Sequence, residues 1–174
     1  MADMTSGYPF VFVMNDRSVS DDVLEYALQY RFKSSRSHHT YIVRVEKYVD
    51  HAYCVKFFDK ALIDSKHKFS LRTNTFEPRT IFYTIIHILL DVLNKDQHAS
   101  FFFIGAEDER DEGGQSTRRY RVYRRFVLST ISNNLFEHYR VNDLSLYILA
   151  NKGYVTDMGS YVRRIEQAVR KALA

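Results

Sequence analysis

Apolar and polar positions alternate along the first sixty residues, and the period then lengthens. Tyr8–Met14 is a short apolar run of strand composition, closed by the turn Asn15-Asp16-Arg17-Ser18. Residues 23–33 alternate loosely through Val23, Tyr26, Leu28, Tyr30 and Phe32, and read as a strand; a helix over 24–29 is the alternative. In Thr40–Tyr48 the alternation is clearer. Tyr41, Val43 and Val45 share one face, and Arg44 and Glu46 the other. Asp50-His51 is a tight connection to Ala52–Asp59, so these runs predict an antiparallel hairpin. His67–Thr73 supplies a further strand, with Phe69 and Leu71 opposite Lys68, Ser70 and Arg72.

Pro78 marks the change of period, because proline suits the first turn of a helix. Over 79–94 apolar residues cover most of the helical circumference and leave a narrow polar stripe: Thr80, Tyr83, Thr84, His87, Asp91 and Asn94. This predicts a central helix packed on the sheet. Ser100–Gly105 is apolar without alternation, which predicts a strand buried on both faces. A helix is expected over 116–132, its inner face formed by Tyr120, Tyr123, Val127, Thr130 and Ile131. Its outer face carries Arg118, Arg121, Arg125, Ser129 and Ser132. Leu144–Ala150 reads as a strand. Thr156 or Asp157 caps a last helix over 157–172, with Met158, Tyr161, Val162, Ile165, Val169 and Leu173 as its buried stripe. The order predicts an α+β fold: an antiparallel or mixed sheet with about three helices packed mainly on one face. Residues 1–174 read as one domain with its core over about 23–172, residues 1–7 being a candidate disordered tail.

Composition adds little to this picture. Thirteen Tyr and thirteen Phe with no Trp give an aromatic-rich core whose hydroxyls tolerate a wet edge. The single cysteine, Cys54, excludes an intrachain disulfide, fits a reducing cytoplasm, and reads as an inert core thiol. The N-terminal residues lack a signal-peptide pattern, and the apolar run at Ile85–Leu90 is too short to span a membrane.

Charge changes the picture at one place. The formal net charge is only +4, but Glu107–Glu112 holds five acids, Gly113-Gly114-Gln115-Ser116 follows, and Thr117–Arg125 holds five arginines. Arg118, Arg121 and Arg125 recur at spacings of three and four, so they share a helical face. Permanently charged, fork-shaped donors suit phosphate or carboxylate. Gly113, Gly114, Ser116 and Thr117 could present free backbone N–H groups to the same anion, although the lysine of a phosphate-binding P-loop is missing. The bland alternative is a solvated helix face neutralised by its own acidic loop.

Other chemistry is weaker. His87 and Asp91, one turn apart, are the raw material of a general base, but no nucleophile is presented on a sharp turn. The acidic loop lacks the ligand spacing of a calcium loop. His38, His39 and His51 lie on turns without ligand-like spacing, and His67 and His98 look like surface residues. No metal and no cofactor is expected.

The segment Phe101-Phe102-Phe103-Ile104-Gly105, followed by Thr117-Arg118-Arg119-Tyr120-Arg121-Val122-Tyr123-Arg124, resembles the signature of a family of small bacterial proteins of unknown function. Upstream, Tyr30-Arg31-Phe32-Lys33-Ser34, a hairpin and a long apolar helix follow the same order, so the resemblance covers roughly residues 25–150. It implies a compact α+β domain in a bacterial cytosol and supplies no reaction.

The function expected is therefore binding without covalent chemistry. The arginine face would engage nucleic acid or an acidic protein surface. A phosphoester-cleaving or transferring enzyme using His87 and Asp91 is the alternative. A third reading is a homo-oligomer in which the acidic loop of one copy meets the arginine helix of another.

Overall fold

The computed structural model describes residues 7–65, 77–105, 121, 124, 125, 127, 128, 130, 131 and 133–174. Seven strands form one mixed sheet in the order β1-β2-β3-β4-β5-β7-β6. The first four, β1 (Phe10–Asp16), β2 (Tyr26–Lys33), β3 (Thr40–Lys47) and β4 (Ala52–Asp59), make an antiparallel meander. The loose alternation at 23–33 resolves as strand. Each residue of β2 finds a partner in β3, from Tyr26↔Lys47 to Lys33↔Thr40.

The β3–β4 connection is a tight turn over Val49–Ala52. Asp50 and His51 both adopt left-handed backbone, with φ of 58° and 60°. That geometry matches the twist of a hairpin, and Asp and His tolerate it better than most residues. After β4 the chain crosses over. Helix α1 (Pro78–Lys95) leads to β5 (Ser100–Ile104), which pairs parallel to β4 through Ala52↔Ser100, Tyr53↔Phe101 and Cys54↔Phe102. The antiparallel partner of β5 is β7 (Leu146–Asn151), and β6 (Phe136–Val141) closes the sheet beside β7. Helix α2 (Met158–Leu173) ends the chain. Its start is set by Asp157, whose carboxylate accepts from the Ser160 N–H at 3.1 Å.

Side-chain alternation divides the core in two. Tyr53, Phe101 and Leu149 face the α1 side and pack with Ile81, Ile85, Ile88, Val92 and Val127. Their neighbours Cys54, Phe102 and Ile148 face the other way and pack with Tyr161, Ile165 and Val169 of α2. Helices thus cover both faces, where packing mainly on one face was expected. A strand apolar on both sides, such as β5, needs cover on both.

Several expectations are corrected. Two helices have both ends among the described residues. The third, expected over 116–132, enters them as Arg121, Arg124, Arg125, Val127, Leu128 and Thr130, all helical, and the count of three is not matched. The strand read at Leu144–Ala150 begins two residues later, because Asn142–Leu144 is a 3-10 turn closed by left-handed Ser145. Strand β6 has no counterpart among the sequence expectations. Leu173 is 61% exposed and not part of the buried stripe of α2. In the polar stripe of α1, Thr84 is buried: its hydroxyl donates to the Thr80 carbonyl and accepts from the Tyr8 N–H, both at 2.8 Å. The strand expected at His67–Thr73 lies outside the described residues. Among the described residues, no helix is long and apolar enough to cross a membrane.

Cys54 is buried under α2, and burial pushes its thiol pKa up to about 12. Thiolate is the reactive form, so the folded protein should not react with a thiol-labelling disulfide at about pH 8, near the ordinary thiol pKa. Full reaction on adding denaturant is the expected contrast, followed by absorbance; rapid labelling of the folded chain would contradict this burial.

Candidate functional site

Among the residues singled out for anion binding, Gly113, Gly114, Ser116, Thr117 and Arg118 lie outside the described residues. Arg121 and Arg125 are helical and exposed, Arg124 is half-buried, and Val127 faces the core, so these described members of the two faces fall as the helical projection places them; Tyr120, Tyr123, Ser129 and Ser132 lie outside the described residues. Leu128 lies three residues after Arg125 and seven after Arg121, hence on the same side. It is 52% exposed and lines a groove of about 480 Å³ together with Asn133, Glu137, His138, Arg140 and Lys152. The arginine face therefore continues into a groove walled by β6.

Cations dominate that groove. Arg140 and Lys152 are exposed on its wall, and Glu137 is the one acid among its lining residues. The Lys152 ammonium donates to the Asn133 carbonyl, which holds it at the rim. His138 sits deeper, its Nδ1 2.6 Å from the Tyr147 hydroxyl. Burial lowers the imidazole pKa; the Ile131 carbonyl opposes this and the Lys152 charge adds to it. His138 is accordingly neutral near pH 7.

The His87–Asp91 pairing is not among the contacts of the described residues. Asp91 Oδ2 accepts from the Tyr30 hydroxyl at 2.6 Å and lies 3.2 Å from Lys95 Nζ. Lys95 in turn sits 3.4 Å from the centre of the Phe12 ring. Asp91 thus ties α1 to β1 and β2.

A different cluster forms where the β3–β4 turn meets the start of β5. Asp96 closes α1, its N–H donating to the Val92 carbonyl at 2.8 Å. His51 comes from the left-handed turn and His98 from the loop into β5. His51 Nδ1 lies 2.7 Å from Asp96 Oδ2, the Tyr53 hydroxyl donates to that oxygen at 2.9 Å, and the His98 N–H donates to Asp96 Oδ1 at 3.1 Å. Burial disfavours the charge on Asp96, but the bonds from His51, Tyr53 and the His98 N–H outweigh it and hold the carboxyl below its ordinary pKa. The His98 ring stacks on Tyr154, with centroids 4.3 Å apart and planes 9° from parallel. Tyr154 donates to Asp50 Oδ1 at 3.1 Å, and Arg164 lies 2.7 Å from Asp50 Oδ2. One ligand atom from each of His51, Asp96 and His98 lies within 4.8 Å of the others.

Sequence reasoning placed His51 on a turn and His98 on the surface, and both are so placed. It missed their meeting, because 45 residues separate His51 from Asp96. The sequence signal present was the short Asp96-Gln97-His98 spacing next to a helix end.

No family model matches the chain, and no curated protein or solved structure matches it. The family resemblance read over residues 25–150 gains no support from these comparisons.

Asn151 at the end of β7 fixes the loop that bears Asp96 and His98. Its side-chain N–H₂ donates to the Gln97 carbonyl at 3.0 Å and the Ala99 carbonyl at 3.1 Å, while its Oδ1 accepts from the Gly153 N–H at 2.8 Å. Asn151→Ala removes these bonds, that to the buried Ala99 carbonyl included, and should cost about 1–3 kcal/mol in urea unfolding. Asn151→Asp should cost more, since it turns a carboxylate toward two carbonyl oxygens. A loss below about 0.5 kcal/mol for both would show that the loop does not depend on this side chain.

Proposed function

We propose that this chain binds polyanions, nucleic acid foremost, along the surface that runs from the arginine helix into the groove beside β6. The observation that carries the reading is the continuity of that surface. Arg121 and Arg125 share a helix side with Leu128, which lines the groove whose wall holds Arg140 and Lys152. Phosphate oxygens would accept charge-assisted hydrogen bonds from the guanidinium groups, with Lys152 as a point charge. Tyr147 is fully buried, so base stacking on it is not part of the reading. Recognition would rest on backbone phosphates and be weakly sequence-dependent. Gly113, Gly114, Ser116, Thr117 and Arg118 would extend the same anion site toward the helix start. The reaction type is association alone, in keeping with Asp91 being bound to Tyr30 and Lys95.

Fluorescence anisotropy with a labelled oligonucleotide tests this across a salt series. Binding should weaken steeply with salt, because neutralised phosphates release counterions. Arg125→Ala with Arg140→Ala should reduce the logarithmic salt slope by roughly 1.4–1.8, which is about 0.7–0.9 for each phosphate that is no longer neutralised. An unchanged slope and affinity in the double variant would overturn the reading. Equal or tighter binding of polyglutamate than of the oligonucleotide would overturn it in favour of an acidic protein partner.

A further inference from the structure

We propose that His51, Asp96 and His98 bind a divalent first-row transition ion of the zinc type. Two imidazoles and one carboxylate are a donor set that such ions take, commonly with a water at the position left open. Hard cations such as calcium or magnesium want a cage of oxygens, and one carboxylate does not supply it. Ligand atoms about 2.0–2.2 Å from a tetrahedral ion lie roughly 3.5 Å from one another. The three donors already lie within 4.8 Å, so small ring rotations bring them onto one ion.

Two features separate this cluster from a merely structural knot. A hydrogen bond joining the turn to the helix end needs only His51 and Asp96. The His98 ring is brought to the same place by its stack on Tyr154, and its nitrogens make no hydrogen bond within the described residues. Its lone pair is therefore unspent next to a carboxylate and a second imidazole. The other feature is an outer layer that orients the ligands, as metal sites require. Tyr53 holds the Asp96 oxygen that His51 also contacts, Tyr154 holds the His98 ring, and Asn151 pins the loop between Asp96 and Ala99. His51 and Asp96 are half-buried and His98 is exposed, so an ion enters from solvent. The inference stands independently of the anion reading.

Titration of the full chain with Zn²⁺ against a chromophoric chelator tests the site, with Co²⁺ as a spectroscopic probe. The expected result is one tight ion per chain and a visible Co²⁺ band of low-coordinate type. His98→Ala should weaken Zn²⁺ at least about tenfold. His51→Gly removes a ligand while suiting the left-handed backbone, so the fold persists by circular dichroism and affinity falls by a similar factor. Tyr53→Phe keeps all three ligands and should weaken binding by about tenfold through the outer layer alone. His38→Gly, at another left-handed histidine, should leave affinity unchanged. Absence of stoichiometric binding would overturn the site, as would His98→Ala and His51→Gly variants that bind Zn²⁺ like the parent chain.

Discussion

The parallel pairing of β4 with β5 is the constraint on which the other arrangements depend. Every other pairing in the sheet is antiparallel, and in the β1–β4 meander and between β6 and β7 it joins consecutive strands by short connections. Two parallel neighbours cannot be joined so, because the chain must travel back the length of a strand before the second begins. That return carries α1 over one face. It leaves Cys54, Phe102 and Ile148 uncovered on the other, which the C-terminal helix then buries. Parallel strands also start at the same edge of a sheet. The turn before β4 and the loop before β5 are therefore side by side, joined where the Ser100 N–H donates to the His51 carbonyl at 2.9 Å. The meeting of His51, Asp96 and His98 is a consequence of this topology more than of any local motif.

The tyrosines show how an aromatic-rich core accommodates its polar atoms. Tyr30, Tyr53, Tyr147 and Tyr161 are all essentially inaccessible, yet each hydroxyl reaches a partner at the margin of the core. Tyr30 meets Asp91, Tyr53 meets Asp96, Tyr147 meets His138, and Tyr161 donates to the Asp50 carbonyl at 2.9 Å. The ring supplies buried apolar area and the hydroxyl supplies direction, each bond adding about 0.5–1.5 kcal/mol. Burial raises the pKa of the Tyr30, Tyr53 and Tyr161 hydroxyls, to about 12 for Tyr161, so these three stay neutral donors throughout the physiological range. Phenylalanine would fill the same space without fixing where the β3–β4 turn or α1 must lie.

What could be read from the sequence follows from range. Strand β3 announced itself by alternation, β4 by following the tight Asp50-His51 connection, β5 by an unbroken apolar run, and α1 and α2 by helical period with Pro78 and Thr156 or Asp157 at their starts. The arginine side was legible for the same reason: Arg121 and Arg125 are related by one helical turn, a local rule. Strand β6 was not. Its sequence, Phe-Glu-His-Tyr-Arg-Val, has neither a clean apolar face nor a continuous apolar run, as suits an edge strand with one partner. The groove was missed with it, since Arg140 and Lys152 become its wall only once β6 and β7 pair. The cover of both sheet faces was hidden because apolar strands do not say how many helices they need.

The two edges of the sheet face the same hazard and meet it differently. An edge strand offers unpaired backbone to any passing strand. Along β1, Val11, Phe12, Val13 and Met14 are each between 44% and 49% exposed, an apolar edge that invites such pairing. Two features blunt it. The register slips between Phe12 and Met14, which breaks the regular ladder, and the Lys95 ammonium caps the Phe12 ring. At the opposite edge, β6 carries Glu137 and Arg140, so charge does the work there. The same substitution of charge for apolar surface that keeps β6 from pairing also lines the groove with cations. Protection of an edge and the cationic lining of the groove are thus met by one set of side chains, and the irregular composition that hid β6 from sequence reading is the composition its position requires.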